Sequence, residues 1–290
     1  MMFAITGISG HVGGTAAQAL LDAGHPVRAV LRDHAKAPAW QESGAEIALA
    51  TFDDADALTA AFTGAEGVYV MVPPDFDPDE NFSGATATAS AIAEAVRRAR
   101  PGKVVALSSI GGQHPRDTGL IGQTHILEQA LADSPVPLAI LRPAWFMENS
   151  LWDVGPARES GWMPSFLSPL DRQVPMIATA DIGGVVAKTL LESWSGGRVI
   201  EIEGPKRYSQ DEIAMLLGQA LGRGVEARPV PREQWEELFR SQGMQRPQPR
   251  IEMLDGFNSG WIDFLPGAAE HVIGPTSFET VLAGLVKQAA

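Results

Sequence analysis

Short apolar runs alternate with amphipathic stretches through the first half of the chain. Residues 2–6, 27–31, 46–50, 68–72, 104–108 and 138–141 are nearly continuous in apolar character. That is the pattern of strands covered by helices on both faces of a parallel sheet. Between them the apolar positions move to helical spacing. In 11–24, Val12, Ala16, Ala19, Leu20 and Ala23 share one helical face and Gly24 provides a stop. Residues 81–99 and 122–131 behave in the same way. The alternation predicts a doubly wound α/β domain with a Rossmann-type parallel sheet.

After about residue 143 the alternation breaks. Residues 143–170 carry four prolines and three tryptophans, and at most short helices are expected there. Further on, 181–192 reads as a helix and 198–203 as a strand. Ser209 and Glu212 form a capping-box pattern that opens a helix running to about 221. Residues 231–240 and 276–288 are further helices, the second opened by Thr276 and Glu279 in the same spacing. The expected organisation is a domain over 1–150, with part of 175–205 returning to its sheet, and a smaller α/β lobe over 151–290. Asp75, Asp77, Asp79 and Glu80 follow the fourth strand and read as a solvated loop with helix-initiating carboxylates.

Composition narrows the chemistry. The chain has 290 residues, a formal net charge of −13 and no cysteine. Thiolate metal sites, iron–sulfur clusters and thiol nucleophiles are excluded. The acidic balance argues against nucleic acid or an anionic membrane as partner. The longest apolar runs, about five residues, fall far short of the ~20 that a membrane helix needs. The N-terminus has no basic segment followed by a long apolar one, so no signal peptide and a cytoplasmic location are expected.

Residues Thr6-Gly-Ile-Ser-Gly-His-Val-Gly13 lie between the first strand and the first helix. In that place the triplet Gly7, Gly10, Gly13 reads as a dinucleotide-binding turn. Gly7 would permit the tight turn, Gly10 a close approach of pyrophosphate, and Gly13 close packing of the helix. The helix N-terminus would offer N–H groups to the phosphates. The second strand ends in Leu31-Arg-Asp33, with Lys36 following. Arg32 and Lys36 suit a 2′-phosphate, which favours NADP(H) over NAD(H). Asp33 either starts the next helix or binds a ribose.

The loop, Arg32 and the segment Leu141-Arg-Pro-Ala-Trp-Phe-Met-Glu-Asn149 together resemble the NmrA-like group of atypical short-chain dehydrogenase/reductases. Val72-Pro-Pro74, Ser108-Ser109, Asp181 and Gly274-Pro-Thr-Ser-Phe278 extend the resemblance along nearly the whole chain. The group includes NADPH-dependent quinone, azo-dye and triphenylmethane-dye reductases, and also redox-sensing regulators. The resemblance implies pyrophosphate contacts from Gly7, Ser9, Gly10, His11, Val12 and Gly13. It implies that Arg32 and Lys36 hold the 2′-phosphate and that Phe52 flanks the adenine. Val72, Pro73, Pro74 and Ser108 would follow the ribose and nicotinamide, with Pro143 and Phe146 walling the nicotinamide end. Relatives usually carry an acidic residue where this chain has Thr51, and Asp53 is the nearby substitute.

Most short-chain dehydrogenases protonate a carbonyl oxygen with a Tyr aided by a Lys four residues later. This chain has only Tyr69 and Tyr208, and neither is followed by Lys at that spacing. Ordinary ketone chemistry is therefore not expected. Hydride transfer to an electron-poor acceptor such as a quinone or azo compound needs less acid help, and orientation over the nicotinamide does much of the work. Trp145, Trp152 and Trp162 are candidates to line a flat apolar slot for a small aromatic or conjugated substrate, with His114 beside them. His125 is the candidate proton donor and Ser109 a candidate hydrogen-bonding group. Glu148 and Asn149 are expected to brace the loop, and no metal is expected. The competing reading is a non-catalytic NADP(H) sensor acting through a protein partner. Whether the chain forms a homodimer is left open.

Overall fold

The apolar runs become strands of one sheet in the computed structural model, which describes residues 1–265, 267 and 270–289. The first half runs β1 (Phe3–Ile5), α1 (His11–Asp22), β2 (Val27–Leu31), α2 (Ala37–Glu42), β3 (Glu46–Leu49), α3 (Ala55–Phe62), β4 (Gly67–Val70), α4 (Ser83–Ala99), β5 (Val104–Leu107), α5 (Gly122–Leu131) and β6 (Leu138–Pro143). The second half runs β7 (Trp145–Phe146), α6 (Leu151–Ser160), β8 (Trp162–Ser165), β9 (Met176–Ile177), α7 (Thr179–Leu191), β10 (Gly197–Glu203), α8 (Gln210–Leu221), β11 (Glu226–Pro229), α9 (Trp235–Ser241), α10 (Gln248–Ser259), β12 (Glu270–Ile273) and α11 (Phe278–Gln288).

Eight strands form a sheet in the order β12-β10-β6-β5-β4-β1-β2-β3. Every neighbouring pair is parallel, as in Phe3 opposite both Val27 and Gly67. The order reverses between β1 and β4, so the connections leave these strands in opposite directions. That opens a crevice at their carboxyl ends, the usual ligand position of such sheets. One sheet face is covered by α1 and α7, with Ile5, Leu20, Leu31 and Val186 in the core. The other is covered by α3, α4 and α5 over Val68, Val70, Ile92 and Leu127. Burial on both faces explains the continuous apolar runs. It is tightest where α7 crosses α1: a Cβ on Gly183 would lie 2.6 Å from the Thr15 Cβ.

The second half departs from the sequence reading in several places, among them the unexpected α10 and the short strands β7, β8, β9 and β11. The 3₁₀ turn Met147–Ser150 runs into α6, a ten-residue helix with Pro156 inside it, where only short helices are expected. An interior proline costs about 3 kcal/mol. Burial of Val154 and Ala157 offsets it, as does Arg158, which donates to the carbonyls of Ala289 and Val286. The last helix starts at Phe278, and its N-cap is Ser277 rather than Thr276. Thr276 is drawn away because its N–H and hydroxyl both donate to Asp181, at 2.9 and 2.7 Å. Finally, the sheet takes in β12, so residues 270–273 join it instead of staying in the lobe. The lobe itself has two small cores, one around Met147, Tyr208, Leu217 and Phe278, the other around Trp235, Phe239, Ile251 and Phe257. No described helix is long and apolar enough to cross a membrane.

Candidate functional site

The turn after β1 sits at the sheet's crevice. Thr6 anchors it by donating its hydroxyl and its N–H to the Tyr69 carbonyl of β4, at 3.0 and 3.1 Å. Gly7 then turns with φ +57°, a left-handed conformation that favours glycine. Gly13 packs onto this turn, where a Cβ would stand 2.6 Å from the Gly7 oxygen. Gly10 is the N-cap of α1 in extended conformation, and no side chain caps the helix. The opening N–H groups of α1 are therefore uncapped, next to exposed Ser9, Gly10 and His11. The Val12 side chain is buried in the core, so only its backbone can meet a ligand.

At the end of β2, Arg32 and Lys36 are exposed. Neither side chain makes a hydrogen bond or ion pair among the described residues. Asp33 caps the 3₁₀ turn His34–Lys36, accepting from the Ala35 N–H at 2.9 Å. Of the two roles open to it, the structure shows the helix-starting one. Beyond β3, Phe52 is half-buried, and Asp53 is exposed, its carboxyl held below the usual range mainly by the Thr51 hydroxyl. After β4, Val72 is buried, Pro73 half-buried and Pro74 exposed, and the Met71 sulfur lies close over Gly7. The following acidic loop is less free than its sequence suggests. Asp79 does cap, accepting from the N–H groups of Asn81 and Ser83. Asp77 instead accepts from the N–H groups of Gln245 and Arg246 in the lobe, at 3.0 and 2.6 Å.

A buried polar triad lies at the ends of β5 and β6. Ser108 donates to Glu128 at 2.5 Å, and Arg142 grips the same carboxylate at 3.0 and 2.6 Å. The Ser108 hydroxyl is thus taken up inside the protein. Ser109, half-buried beside it, has no side-chain partner among the described residues. In α5, the His125 Nδ1 is 2.8 Å from the Gly112 carbonyl. A carbonyl only accepts, so Nδ1 carries the hydrogen and Nε2 is the free nitrogen. His114 stacks on Trp261, with ring centroids 4.0 Å apart. Burial lowers its pKa first, a hydrogen bond with the Trp261 backbone opposes this, and the nearby Arg142 guanidinium lowers it further.

The expected aromatic wall divides. Trp145 and Phe146 follow buried Pro143 at the end of β6 after one intervening residue, Ala144, and Trp145 packs edge-on against Phe257 of α10 at 4.9 Å. Trp152 is 84% exposed, because α6 buries its Val154–Ala157 side. Trp162 lies in β8 under Arg228. Neither ring stacks on Trp145 or Phe146. Glu148 braces the loop as expected, accepting from the Thr179 N–H at 2.9 Å and capping α7, whereas Asn149 is exposed. Both tyrosine side chains are buried in the protein interior. Tyr69 is buried in β4, which pushes its hydroxyl pKa well above the usual range, and the Tyr208 oxygen accepts from the Phe278 N–H at 3.0 Å.

Several residues of this region escape a reading of the sequence. Glu128 and Trp261 carry no local signal. Arg142 sits inside the quoted segment, but its partner is 14 residues away on another element. Asp153 of α6 is a further one: burial pushes its carboxyl up to about 7, against the lowering effect of the Ser150 hydroxyl.

The sheet order and the glycine turn at its crevice define a Rossmann-like α/β protein. The model of the NmrA-like family matches residues 2–258, and the chain belongs to that family. It is 29% identical over 224 residues to the (4-alkanoyl-5-oxo-2,5-dihydrofuran-3-yl)methyl phosphate reductase of Streptomyces griseus, covering 77% of this chain and 74% of that one. It is 27% identical over 279 residues to the NAD(P)H azoreductase of Xenophilus azovorans, covering 93% and 91%. Among solved structures, the NADPH-dependent quinone oxidoreductase of Escherichia coli complexed with NADPH shares the fold, with a TM-score of 0.78, 21% identity and coverage of 100% and 98%.

Proposed function

We propose that the chain is an NADP(H)-dependent reductase of an electron-poor aromatic or conjugated acceptor, such as a quinone or azo compound, working without a Tyr-x-x-x-Lys pair. The observation that carries this reading is the pair Arg32 and Lys36, exposed and unpaired beyond a glycine turn whose helix N-terminus is uncapped. Such a site fits the two anionic groups of NADP(H), the pyrophosphate and the 2′-phosphate, and the names of the azoreductase and phosphate reductase relatives agree with it.

In this reading the backbone of Gly7, Ser9, Gly10, His11, Val12 and Gly13 holds the pyrophosphate. Arg32 and Lys36 hold the 2′-phosphate, and Phe52 and Asp53 flank the adenine. Val72, Pro73 and Pro74 run along the ribose and nicotinamide side, opposite Pro143 and Phe146. NADPH, when bound, supplies the hydride. Ser108 acts indirectly, by orienting Glu128 and Arg142 beneath the site. Ser109 is free to hydrogen-bond the acceptor or the ribose. When doubly protonated, His125 delivers the balancing proton from Nε2 and regains it from solvent, so that a quinone gains one hydride and one proton to become the hydroquinone. Trp145, His114 and Trp261 form the acceptor side, and Trp152 and Trp162 take no part. Residues 1–150 with the returning 175–205 segment serve the dinucleotide, and the lobe serves the acceptor.

The test is NADPH consumption with a panel of quinones and azo dyes. Turnover with at least one of them is expected. No turnover with any acceptor, together with micromolar NADP(H) binding, would overturn the reductase reading in favour of a sensor that acts through a protein partner.

A further inference from the structure

Arg250 is an unusual cation for this lobe. It is half-buried on α10 with its guanidinium carbon 4.2 Å from the Phe239 ring centroid and 5.8 Å from that of Phe166. Among the described residues no carboxylate, carbonyl or side chain accepts a hydrogen bond from it. Its neighbours in the lobe are all paired. Arg232 bonds Asp255, Arg240 bonds Glu236, Arg207 bonds Asp263, Arg246 bonds Asp77, and Arg172 bonds the carbonyls of Phe257 and Asn258. Stacking on aromatic rings stabilises a guanidinium by about 0.5–2 kcal/mol. It does so through the flat face, leaving the N–H donors at the edge without acceptors. None of the Arg250 nitrogens is fully buried, so the donors stay open to an anion, while partial burial of the side chain holds its pKa below the ordinary guanidinium range.

The position of α10 points to the kind of molecule whose anionic group Arg250 would meet. Phe257, which packs on Trp145, lies seven residues beyond Arg250. That is two helical turns, so the two residues share one face. The helix is followed by Trp261, stacked on His114. Near its start, Pro249 presses on Gly119, where a Cβ would meet the Pro249 oxygen at 1.9 Å. Arg250 thus rides on the helix that contacts Trp145 through Phe257 and leads into Trp261, two of the residues assigned above to the acceptor side.

We propose that Arg250 is an anion subsite of the acceptor pocket, so that the substrate is a conjugated molecule carrying a carboxylate, sulfonate or phosphate group. The proposal rests on the reductase reading for what is reduced, but not for binding. In a molecule of net charge −13, a local unpaired cation is what would make an anionic substrate acceptable.

The test compares naphthalene-1-sulfonate with its neutral isostere naphthalene-1-sulfonamide, titrated calorimetrically into the NADP⁺-loaded protein. Wild type should prefer the sulfonate by about tenfold or more, as for a charge-assisted contact worth over ~1.4 kcal/mol. Arg250→Met should abolish that preference, and Arg250→Lys should retain most of it. Equal affinities in wild type, binding of neither probe, or a preference that survives Arg250→Met would each overturn the subsite. Since the readout needs no turnover, it is separable from the reductase reading. Reduction of neutral quinones without any sulfonate preference would remove the subsite alone, and a sulfonate preference without reduction of any acceptor would remove the reductase alone.

Discussion

At the scale of single residues, the cations sort by whether an acceptor waits for them. Arg28 pairs with Glu46, Arg98 with Asp56, and Arg198 with Glu192 and Glu270. Arg32 and Lys36 have no such partner, and Asp33, the one carboxylate adjacent in sequence to Arg32, is occupied in capping the turn between them. An Arg–phosphate contact adds about 1.5–3 kcal/mol when the donor is otherwise free. Arg32→Ala should therefore weaken NADPH binding by roughly tenfold to a hundredfold relative to NADH. Titration of both cofactors measures this directly, and an unchanged ratio would disprove the 2′-phosphate assignment. The place of Arg32 was legible, because an exposed cation at the end of a strand can be read from local sequence. The Ser108–Glu128–Arg142 triad was not, since three elements bring it together and no spacing along the chain links them.

At the scale of elements, legibility followed the completeness of burial. The strands β1, β2, β4 and β5 are covered on both faces, so each leaves an apolar run with sharp ends. The edge strands β3 and β12 are partly or largely exposed, and β12, with its Glu270-His271 start, leaves no such run. In α6 the Pro156 and the weak separation of apolar from polar faces hide a helix that tertiary contacts hold. Caps show the same competition. Both Ser209 and Thr276 have the right spacing, but only Ser209 keeps its role, because Asp181 from another helix claims Thr276. The Ser209 box is complete: its oxygen accepts from the Glu212 N–H at 3.2 Å, and Glu212 accepts from the Ser209 N–H at 2.9 Å. Ser209→Ala should cost about 1 kcal/mol. For a chain of this size that is a fall of roughly 2–4 °C in melting temperature. Ser209→Thr should recover most of it, and a melting curve of the alanine variant that overlays wild type would show that packing alone sets the helix start.

At the scale of the whole molecule, the loop after β4 is bonded both to α5 and to the lobe. On one side Gln123 of α5 bonds both the N–H and the carbonyl of Asp75. On the other, Asp77 accepts two N–H groups 168 and 169 residues away, and its own carbonyl accepts from Arg246 at 2.6 Å. The crevice, with Val72–Pro74 at the root of this loop, is bounded by a strap whose far end belongs to the lobe. Asp77→Ala should loosen that strap. The expected result is a severalfold rise in KM for the acceptor with little change in NADPH affinity, because the turn after β1 does not depend on Asp77. The Gln245 N–H, followed by Arg246, holds the Asp77 carboxyl below its ordinary pKa of 3.8, despite an opposing contribution from burial. A carboxyl lowered in the folded state adds stability above its unfolded pKa, and that stability is lost as the pH falls through the folded value. The melting temperature of Asp77→Ala should therefore lie below wild type at neutral pH, and the gap should close as the pH drops below 3.8. A gap of constant size across that range would mean that the lobe is held by its apolar contacts and not by this carboxylate.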